Sequence, residues 1–116
     1  MQIRRGTMAV LGNWSTLPGT VPTEGVLRKV FTGKKVMMVL NEIKPGTQVN
    51  PHSHSHEQLL YIVSGSAEVV LGEEVLTMKA GDLMLVPPDV SHSLQVISKE
   101  SVLNIDVFSP IREDFI

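Results

Sequence analysis

The sequence predicts an all-β fold built as an antiparallel barrel, and three observations support this class. Short runs rich in Val, Ile and Leu recur along the chain and are separated by Gly, Pro, Asn and Asp, as in β-sandwiches and barrels. Within several runs, apolar and polar residues alternate with the period of a strand. No stretch of ten or more residues has apolar residues at helical spacing, so we expect very little helix.

Eight strands are predicted in order, and turn signals that contain glycine or proline separate most of them. The strands are Val26–Phe31, Val36–Ile43, Gln58–Val63, Ala67–Leu71, Glu74–Met78, Leu83–Val86, His92–Ile97 and Val102–Phe108. The first 25 residues look irregular, although a short strand near Met8–Leu11 fits their pattern. We expect a single domain over residues 1–116, with an N-terminal arm at 1–25 and a barrel core at about 26–109.

Composition excludes several classes of function. Of the 116 residues, 42% are apolar and 19% are charged, and the net charge is −2. Acidic and basic residues are interspersed without a basic face, which argues against nucleic-acid binding. Because there is no cysteine, any metal must be held by nitrogen or oxygen ligands. The sequence lacks a signal-peptide pattern and an apolar segment of membrane-spanning length, so we expect no membrane association and a cytoplasmic location.

The last predicted strand has two faces of different polarity. One face carries Asn104, Asp106 and Phe108. The other carries Leu103, Ile105 and Val107. If the polar face lines the barrel, the aliphatic face must be covered by another sheet or another subunit. The strand at residues 58–63 also has apolar residues on both faces, so one of them needs a cover if the other lines the barrel. We therefore expect a homodimer that buries one outer sheet.

The histidines indicate a metal site. Three of the four, His52, His54 and His56, fall within five residues, and His92 follows a proline turn. Side chains at i and i+2 of an extended backbone point to the same side, so His52 and His54 can converge on one ion. Gln58 can add an amide oxygen, and His92 opens a strand that would return beside them. This set predicts one divalent metal ion with open coordination positions.

Two neighbours of these residues are weaker candidates. His56 has the parity to join the other histidines, but we interpret it as a surface or pocket-rim residue. Glu57 is a stronger ligand than Gln58 by charge, yet in a strand it would point to the opposite face. We therefore expect Glu57 to be a solvated charge.

The spacing of these residues resembles the two motifs of the cupin superfamily. The first motif, G-x5-H-x-H-x3-E-x6-G, corresponds to Gly46, His52, His54, Gln58 and Gly65, with Gln in place of Glu. The second, G-x5-P-x-G-x2-H-x3-N, corresponds to Gly81, Pro87, Asp89, His92 and Val96, with Asp in place of Gly and Val in place of Asn. The resemblance implies an RmlC-like, double-stranded β-helix or jelly-roll barrel with metal ligands His52, His54, Gln58 and His92.

The C-terminal segment narrows the resemblance. Residues 106–115, together with the His-Glu-Gln segment, resemble the small KdgF-type cupins of pectin and alginate breakdown. That resemblance implies ring opening of 4,5-unsaturated monouronates to linear 4-deoxy-5-keto-uronates, without redox change. It also implies that Asp106, Phe108 and Arg112 line the pocket beside the metal.

The chemistry of these residue types suits such a reaction. As hypotheses, the metal polarises substrate oxygens and Asp106 acts as general acid/base. Arg112 binds the substrate carboxylate through its planar fork, and Phe108 packs on the sugar ring. Glutamine in place of glutamate leaves the full charge on the ion, which favours an acidic sugar as ligand.

Two alternatives stay open at the level of sequence. The same ligands could hold iron or manganese in a metal-dependent dioxygenase. The domain could also be a non-catalytic cupin that binds or senses a small ligand. The donor set does not choose between nickel, zinc, manganese and iron, and the sequence does not choose between pectin-derived and alginate-derived sugars.

Overall fold

The computed structural model of the chain describes residues 2–3 and 8–116, and there it is built almost entirely of strands. Their bounds are β1 Gln2–Ile3, β2 Val10–Leu11, β3 Thr20–Thr23, β4 Val26–Thr32, β5 Met37–Ile43, β6 Gln48–His52, β7 Glu57–Ser64, β8 Ser66–Leu71, β9 Glu74–Lys79, β10 Leu83–Val86, β11 His92–Val96 and β12 Val102–Ser109. A short 3₁₀ turn, Glu113–Phe115, follows β12. Within the described residues, no helix has the length and apolar character needed to cross a membrane.

Two antiparallel sheets face each other. The larger has the order β10-β7-β12-β5-β4-β3, the smaller has the order β6-β11-β8-β9, and β1 pairs with β2 separately. Side chains from both sheets form a common apolar core at one end of the barrel. This core includes Leu60, Ile62 and Val102 from the larger sheet and Val69 and Leu94 from the smaller. The predicted all-β antiparallel fold is confirmed.

All eight predicted strands are present, and no end differs from the prediction by more than one residue. Three further strands were missed by the prediction, β1, β3 and β6, and β1 and β3 correct the expectation that residues 1–25 are irregular. The two longer ones, β6 and β3, share two features. Each contains a proline, Pro51 in β6 and Pro22 in β3. Each lies at the edge of its sheet, where proline is tolerated because one side needs no ladder hydrogen bonds. These two strands therefore lack the apolar alternation that marks the others.

The inner and outer faces of the larger sheet are assigned by burial. In β12, Asn104, Asp106 and Phe108 are buried between the sheets, whereas Leu103 and Ile105 lie on the outer face. The polar face of this strand therefore lines the barrel. Part of the outer face is covered by the arm, because Gly12 packs closely against the ring of Phe31 in β4.

Turns with left-handed backbone separate the strands at the motif glycines. Gly46, Gly65 and Gly81 all have positive φ, which glycine adopts without a steric penalty. Asp89, which replaces the second-motif glycine, is the non-glycine residue with positive φ in the described chain, at 65°. Aspartate is one of the few other residues that tolerate this region. The Asp89 amide donates to the carbonyl oxygen of His54, 2.8 Å away, and this ties the turn to the histidine segment.

Candidate metal centre and active-site cavity

Two neighbouring strands bring the predicted histidines together. His52 ends β6 and His92 begins β11, and the two residues are direct antiparallel partners. A register irregularity follows His92 in this pairing, as is common beside functional sites. His54 lies just beyond β6, so its ring reaches the same point from the connecting segment. Residues 40 positions apart in sequence thus meet because the strands pair.

The three rings are close enough to share one cation. Each of His52, His54 and His92 offers a nitrogen within 4.8 Å of the nitrogens offered by the other two. Their ring centroids lie 4.2 Å apart for His52 and His92, 4.9 Å for His54 and His92, and 5.9 Å for His52 and His54. The rings are tilted rather than stacked, which lets their nitrogens converge.

Backbone carbonyls orient all three rings in the same way. The Nδ1 atoms of His52, His54 and His92 lie 2.9, 3.0 and 2.9 Å from the carbonyl oxygens of Asn50, His56 and Val90, respectively. A carbonyl oxygen only accepts, so each Nδ1 carries the proton and each Nε2 keeps its lone pair. Metal-binding histidines commonly have this arrangement. Nε2 of His92 is also buried without a hydrogen-bond partner among the described residues.

Gln58 approaches the rings with its oxygen. Its Oε1 lies 3.0 Å from Nε2 of His54, although the Nδ1–H tautomer leaves that nitrogen without a proton. Burial, followed by the charge of Arg112, lowers the pKa of His54, so a doubly protonated ring is disfavoured. Two atoms with lone pairs, Oε1 of Gln58 and Nε2 of His54, therefore face each other without a proton between them. A cation bound by both atoms would remove the repulsion between these lone pairs. The donor set of three imidazoles and one amide oxygen fits a divalent metal ion.

Asp106 is the hydrogen-bonded centre of the buried site. Its carboxylate accepts from Nε2 of Gln58 at 2.9 Å, from Nδ2 of Asn104 at 3.0 Å and from Nδ2 of Asn41 at 3.0 Å. The first bond fixes the orientation of the Gln58 amide, because a carboxylate attracts the NH₂ group and leaves Oε1 toward the histidines. Burial raises the pKa of Asp106 to about 6, against the opposing effect of these hydrogen bonds and of Arg28.

A cavity of about 210 Å³ connects these groups. Its wall includes the histidine pair His52 and His92, the buried carboxylate of Asp106 and an apolar floor from the barrel core. Burial lowers the pKa of His92, so its imidazole is biased toward the neutral form that binds metals. A concave, mostly apolar cavity with a few convergent polar groups is the usual form of a small-molecule site.

The C-terminal tail forms one side of the cavity. Phe108 is buried beside His54, with ring centroids 5.5 Å apart and nearly perpendicular. Arg112 lines the cavity, and its Nε and Nη2 donate to the carboxylate of Asp114 at 3.1 and 2.9 Å. The structure therefore brings all seven predicted site residues to one cavity or its rim, while their individual roles stay predictions.

The two weaker candidates lie outside the cluster. Among the described residues, the group able to share one cation contains neither His56 nor Glu57. Glu57 is exposed, and His56 is partly buried with its ring 6.4 Å from that of Phe108. Both positions agree with the interpretation of His56 as a rim residue and Glu57 as a solvated charge.

Three cavity residues were given no role by the sequence analysis. Asn41 lies on the strand next to Asp106, and Arg28 lies one strand further out, directly opposite Asn41. Phe115, in the 3₁₀ turn, closes the cavity over Arg28. Parity was the available signal for Arg28, because it shares one face of β4 with Val26 and Val30.

The class of the protein follows from the fold and this site. The cupin domain family model matches residues 39–108, which span β5 to β12, and the chain belongs to the cupin family. Among solved structures, an RmlC-like cupin from Shewanella frigidimarina is similar, with a TM-score of 0.84, 29% identity, and coverage of 90% of this chain and 94% of that one.

Particular relatives narrow this class. The chain is 37% identical over 95 residues to the pectin degradation protein KdgF of Dickeya dadantii, an alignment that covers 80% of this chain and 86% of the relative. The structure of KdgF from a Halomonas species has a TM-score of 0.86 and 27% identity, and covers 93% of this chain and 99% of that one. The sequence-based resemblance to KdgF-type cupins is confirmed.

Proposed function

We propose that the protein is an enzyme that opens the ring of 4,5-unsaturated monouronates to give linear 4-deoxy-5-keto-uronates. One observation carries the proposal. A buried carboxylate, Asp106, is hydrogen-bonded to the Gln58 amide whose oxygen faces the histidine cluster, so an acid/base group lies beside a candidate metal site in one cavity. The similarity to the pectin degradation protein KdgF supports the same reaction.

His52, His54, Gln58 and His92 would hold one divalent cation, nickel, zinc, manganese or iron. A cation bound there supplies Lewis-acid polarisation of a substrate oxygen. The burial of Nε2 of His92 without a partner among the described residues supports this assignment, because an unpartnered buried acceptor is otherwise costly. The Nδ1 bonds to backbone carbonyls fix the rings before the cation arrives.

The reaction is an internal rearrangement of the substrate. The sugar is a cyclic hemiacetal with an enol ether at C4 and C5. When the C1 hydroxyl loses its proton, the C1 carbonyl forms and the bond from C1 to the ring oxygen breaks. The released electron pair forms the C5 carbonyl, and C4 gains a proton. Atoms and electrons balance within the substrate, so no oxidant is needed.

Asp106 is the group we assign to both proton transfers. It takes the proton from the C1 hydroxyl and returns one to C4, which is general acid/base catalysis. Its three amide donors hold the carboxylate in one orientation. The Oδ1 atoms of Asn41 and Asn104 are buried without partners among the described residues, and substrate hydroxyls can donate to them. Phe108 provides an apolar wall for the sugar ring.

The test is a direct assay. Purified protein, loaded in turn with each candidate metal, is mixed with lyase-generated unsaturated monouronate, and the loss of enol absorbance is followed. We expect a faster loss with protein than without, and no oxygen uptake in a parallel oxygen-electrode trace. Oxygen consumption would favour the dioxygenase alternative. An unchanged rate across the metal series would exclude ring opening.

We also propose that two copies of the chain pair through the outer face of the larger sheet. Two rows of apolar side chains cross β10, β7, β12 and β5 there. The rows are Leu83, Tyr61, Ile105 and Leu40, and Leu85, Leu59, Val107 and Met38. Neither row contains a charge, so a second copy of the same face would bury no unpaired ion. A two-fold contact at this face would leave both cavities open.

A further inference from the structure

The inner face of β4 carries a positively charged side chain, Arg28, that has no role so far. Arg28 is directly opposite Asn41, which is in turn opposite Asn104 in β12. Arg28 lines the same cavity as Asp106 and the histidines. Its side chain therefore belongs to the row that contributes the amide donors of the site, although neither the metal cluster nor the proton transfers described above use it.

The guanidinium of Arg28 is held without a hydrogen-bonded carboxylate. Its Nε is buried and has no hydrogen-bond partner among the described residues. Its Cζ lies 3.8 Å from the ring centroid of Phe115, which is a cation–π contact. Asp106 attracts it electrostatically, but the amides of Gln58, Asn104 and Asn41 take the hydrogen bonds of that carboxylate. Donors of Arg28 are therefore left facing the cavity.

A second guanidinium shares the same aromatic ring. Cζ of Arg112 lies 4.2 Å from the centroid of Phe115, so the two guanidinium carbons are no farther apart than the sum of their distances to it. Both side chains line the cavity. Burial and then the charge of Arg112 lower the pKa of Arg28, as expected for two cations held close together. An anion bound in the cavity that both side chains line would offset that repulsion.

Arg112 is already partly engaged. Its Nε and Nη2 bind Asp114, so this edge of the guanidinium fork is occupied. Arg28 has no such partner within the described residues. The sequence-based prediction assigns the substrate carboxylate to Arg112 alone. Of the two arginines, Arg112 has fewer free hydrogen-bond donors.

We propose that Arg28 is the principal arm of a carboxylate-binding subsite, that Arg112 is its second arm, and that Phe115 positions both guanidinium groups through its cation–π contacts. The planar fork of arginine matches a carboxylate in geometry. The proposal rests on the proposed function for the kind of ligand, an acidic monosaccharide. It adds a specificity-determining residue that selects a uronate over a neutral sugar.

The experiment measures binding without turnover, so that it does not depend on ring opening. The metal-loaded protein is titrated with D-galacturonate and with D-galactose, which differ at C6 by carboxylate against hydroxymethyl. Titrations are made with wild type, Arg28→Gln, Arg28→Lys and the matched control Lys79→Gln. Lys79 is an exposed cation at the end of β9 in the other sheet, so its variant removes the same charge away from the cavity.

We expect wild type and Lys79→Gln to bind galacturonate more tightly than galactose. Arg28→Gln should weaken galacturonate binding at least about tenfold, since it removes charge-assisted hydrogen bonds, and should leave galactose binding unchanged. Arg28→Lys keeps the charge without the fork, and its affinity should fall between those of wild type and Arg28→Gln. Thermal unfolding of each variant verifies that the barrel is intact.

The proposal is overturned if wild type binds the two sugars equally, or if Arg28→Gln and Arg28→Lys both keep the wild-type affinity for galacturonate. Equal loss of both sugars in both Arg28 variants would also overturn it, because that result indicates a structural role. The two proposals can fail separately. If the protein distinguishes the sugars through Arg28 but does not open unsaturated uronates, the carboxylate subsite stands and the proposed reaction is excluded.

Discussion

The two faces of the larger sheet are made by alternate residues of the same strands, and where the sheet lines the cavity their polarity is the reverse of a simple oil-drop arrangement. The inner face places Gln58, Asn104, Asp106, Asn41 and Arg28 between the sheets. The outer face presents rows of Leu, Ile, Val, Met and Tyr. Leu83 is 75% exposed there, whereas Asn104 is 2% exposed. At the cavity, polar side chains are therefore buried while apolar ones on the opposite face are exposed.

The inner face tolerates polar groups because they satisfy each other. Asp106 accepts three amide hydrogen bonds, and each hydrogen bond offsets part of the cost of burying these groups. Two of the atoms left without partners among the described residues, Nε2 of His92 and Nε of Arg28, are the ones we assign to a cation and an anion. The outer face has no such network, and its exposed apolar area is typical of a contact surface.

The largest effect should follow removal of a histidine ring from the inner cavity. We expect His92→Ala to weaken metal binding by more than about 100-fold, because loss of even an outer-sphere partner can cost 10–100-fold. Metal content per chain after dialysis, measured by elemental analysis, provides the readout. His56→Ala is the matched control and should keep its metal. Full occupancy in His92→Ala would contradict the assignment of this residue as a ligand.

The next effect concerns the carboxylate at the centre of the network. Asp106→Asn preserves the shape of the side chain but removes its charge and its ability to carry the proton. We expect the rate of uronate ring opening to fall about 10²- to 10⁴-fold, the usual contribution of general acid/base catalysis. The loss of enol absorbance measures it. Wild-type turnover in a folded, metal-loaded Asp106→Asn protein would show that another group transfers the proton.

A charge on the outer face tests the other half of the comparison. Leu59→Lys places an ammonium group in the middle of an apolar row, where a second copy would have to bury it. We expect the variant to be monomeric by light scattering at concentrations where wild type is dimeric, while each monomer still binds metal. Val75→Lys, an exposed position on the smaller sheet, is the control. A monomeric wild type would refute the homodimer.

Much of this contrast could be predicted from the sequence, because it depends on strand parity. Alternation alone places Asp106 and Phe108 on one face, and the i, i+2 spacing places His52 and His54 together. Each of these is a short-range pattern. The family motifs then supplied the long-range pairing of His92 with them, which spacing in one sequence does not determine.

What could not be predicted depends on register between strands. Asn41 and Arg28 reach the site because β5 and β4 lie beside β12 in a register that aligns them with Asn104. Parity groups Arg28 with Val26 and Val30, but the adjacent Lys29 makes a pair of solvated charges an equally simple interpretation of the sequence. Phe115 reaches Arg28 only after the tail folds back. These contacts are tertiary, and hence the second arginine of the cavity was missed.

The smallest effect should come from the rim of the cavity, where Asp114 pairs with Arg112. The hydrogen bonds from Arg112 lower the pKa of Asp114 below its ordinary value of 3.8. A depressed carboxyl pKa stabilises the fold at neutral pH, and the contribution is lost as the pH falls through that lowered pKa. Because Asp114 is exposed, we expect Asp114→Asn to cost less than about 1 kcal/mol in urea unfolding at neutral pH. The difference from wild type should shrink at about pH 3, and Glu113→Gln, the exposed neighbour, should show neither effect. A difference that grows on acidification would mean that the pair opposes folding.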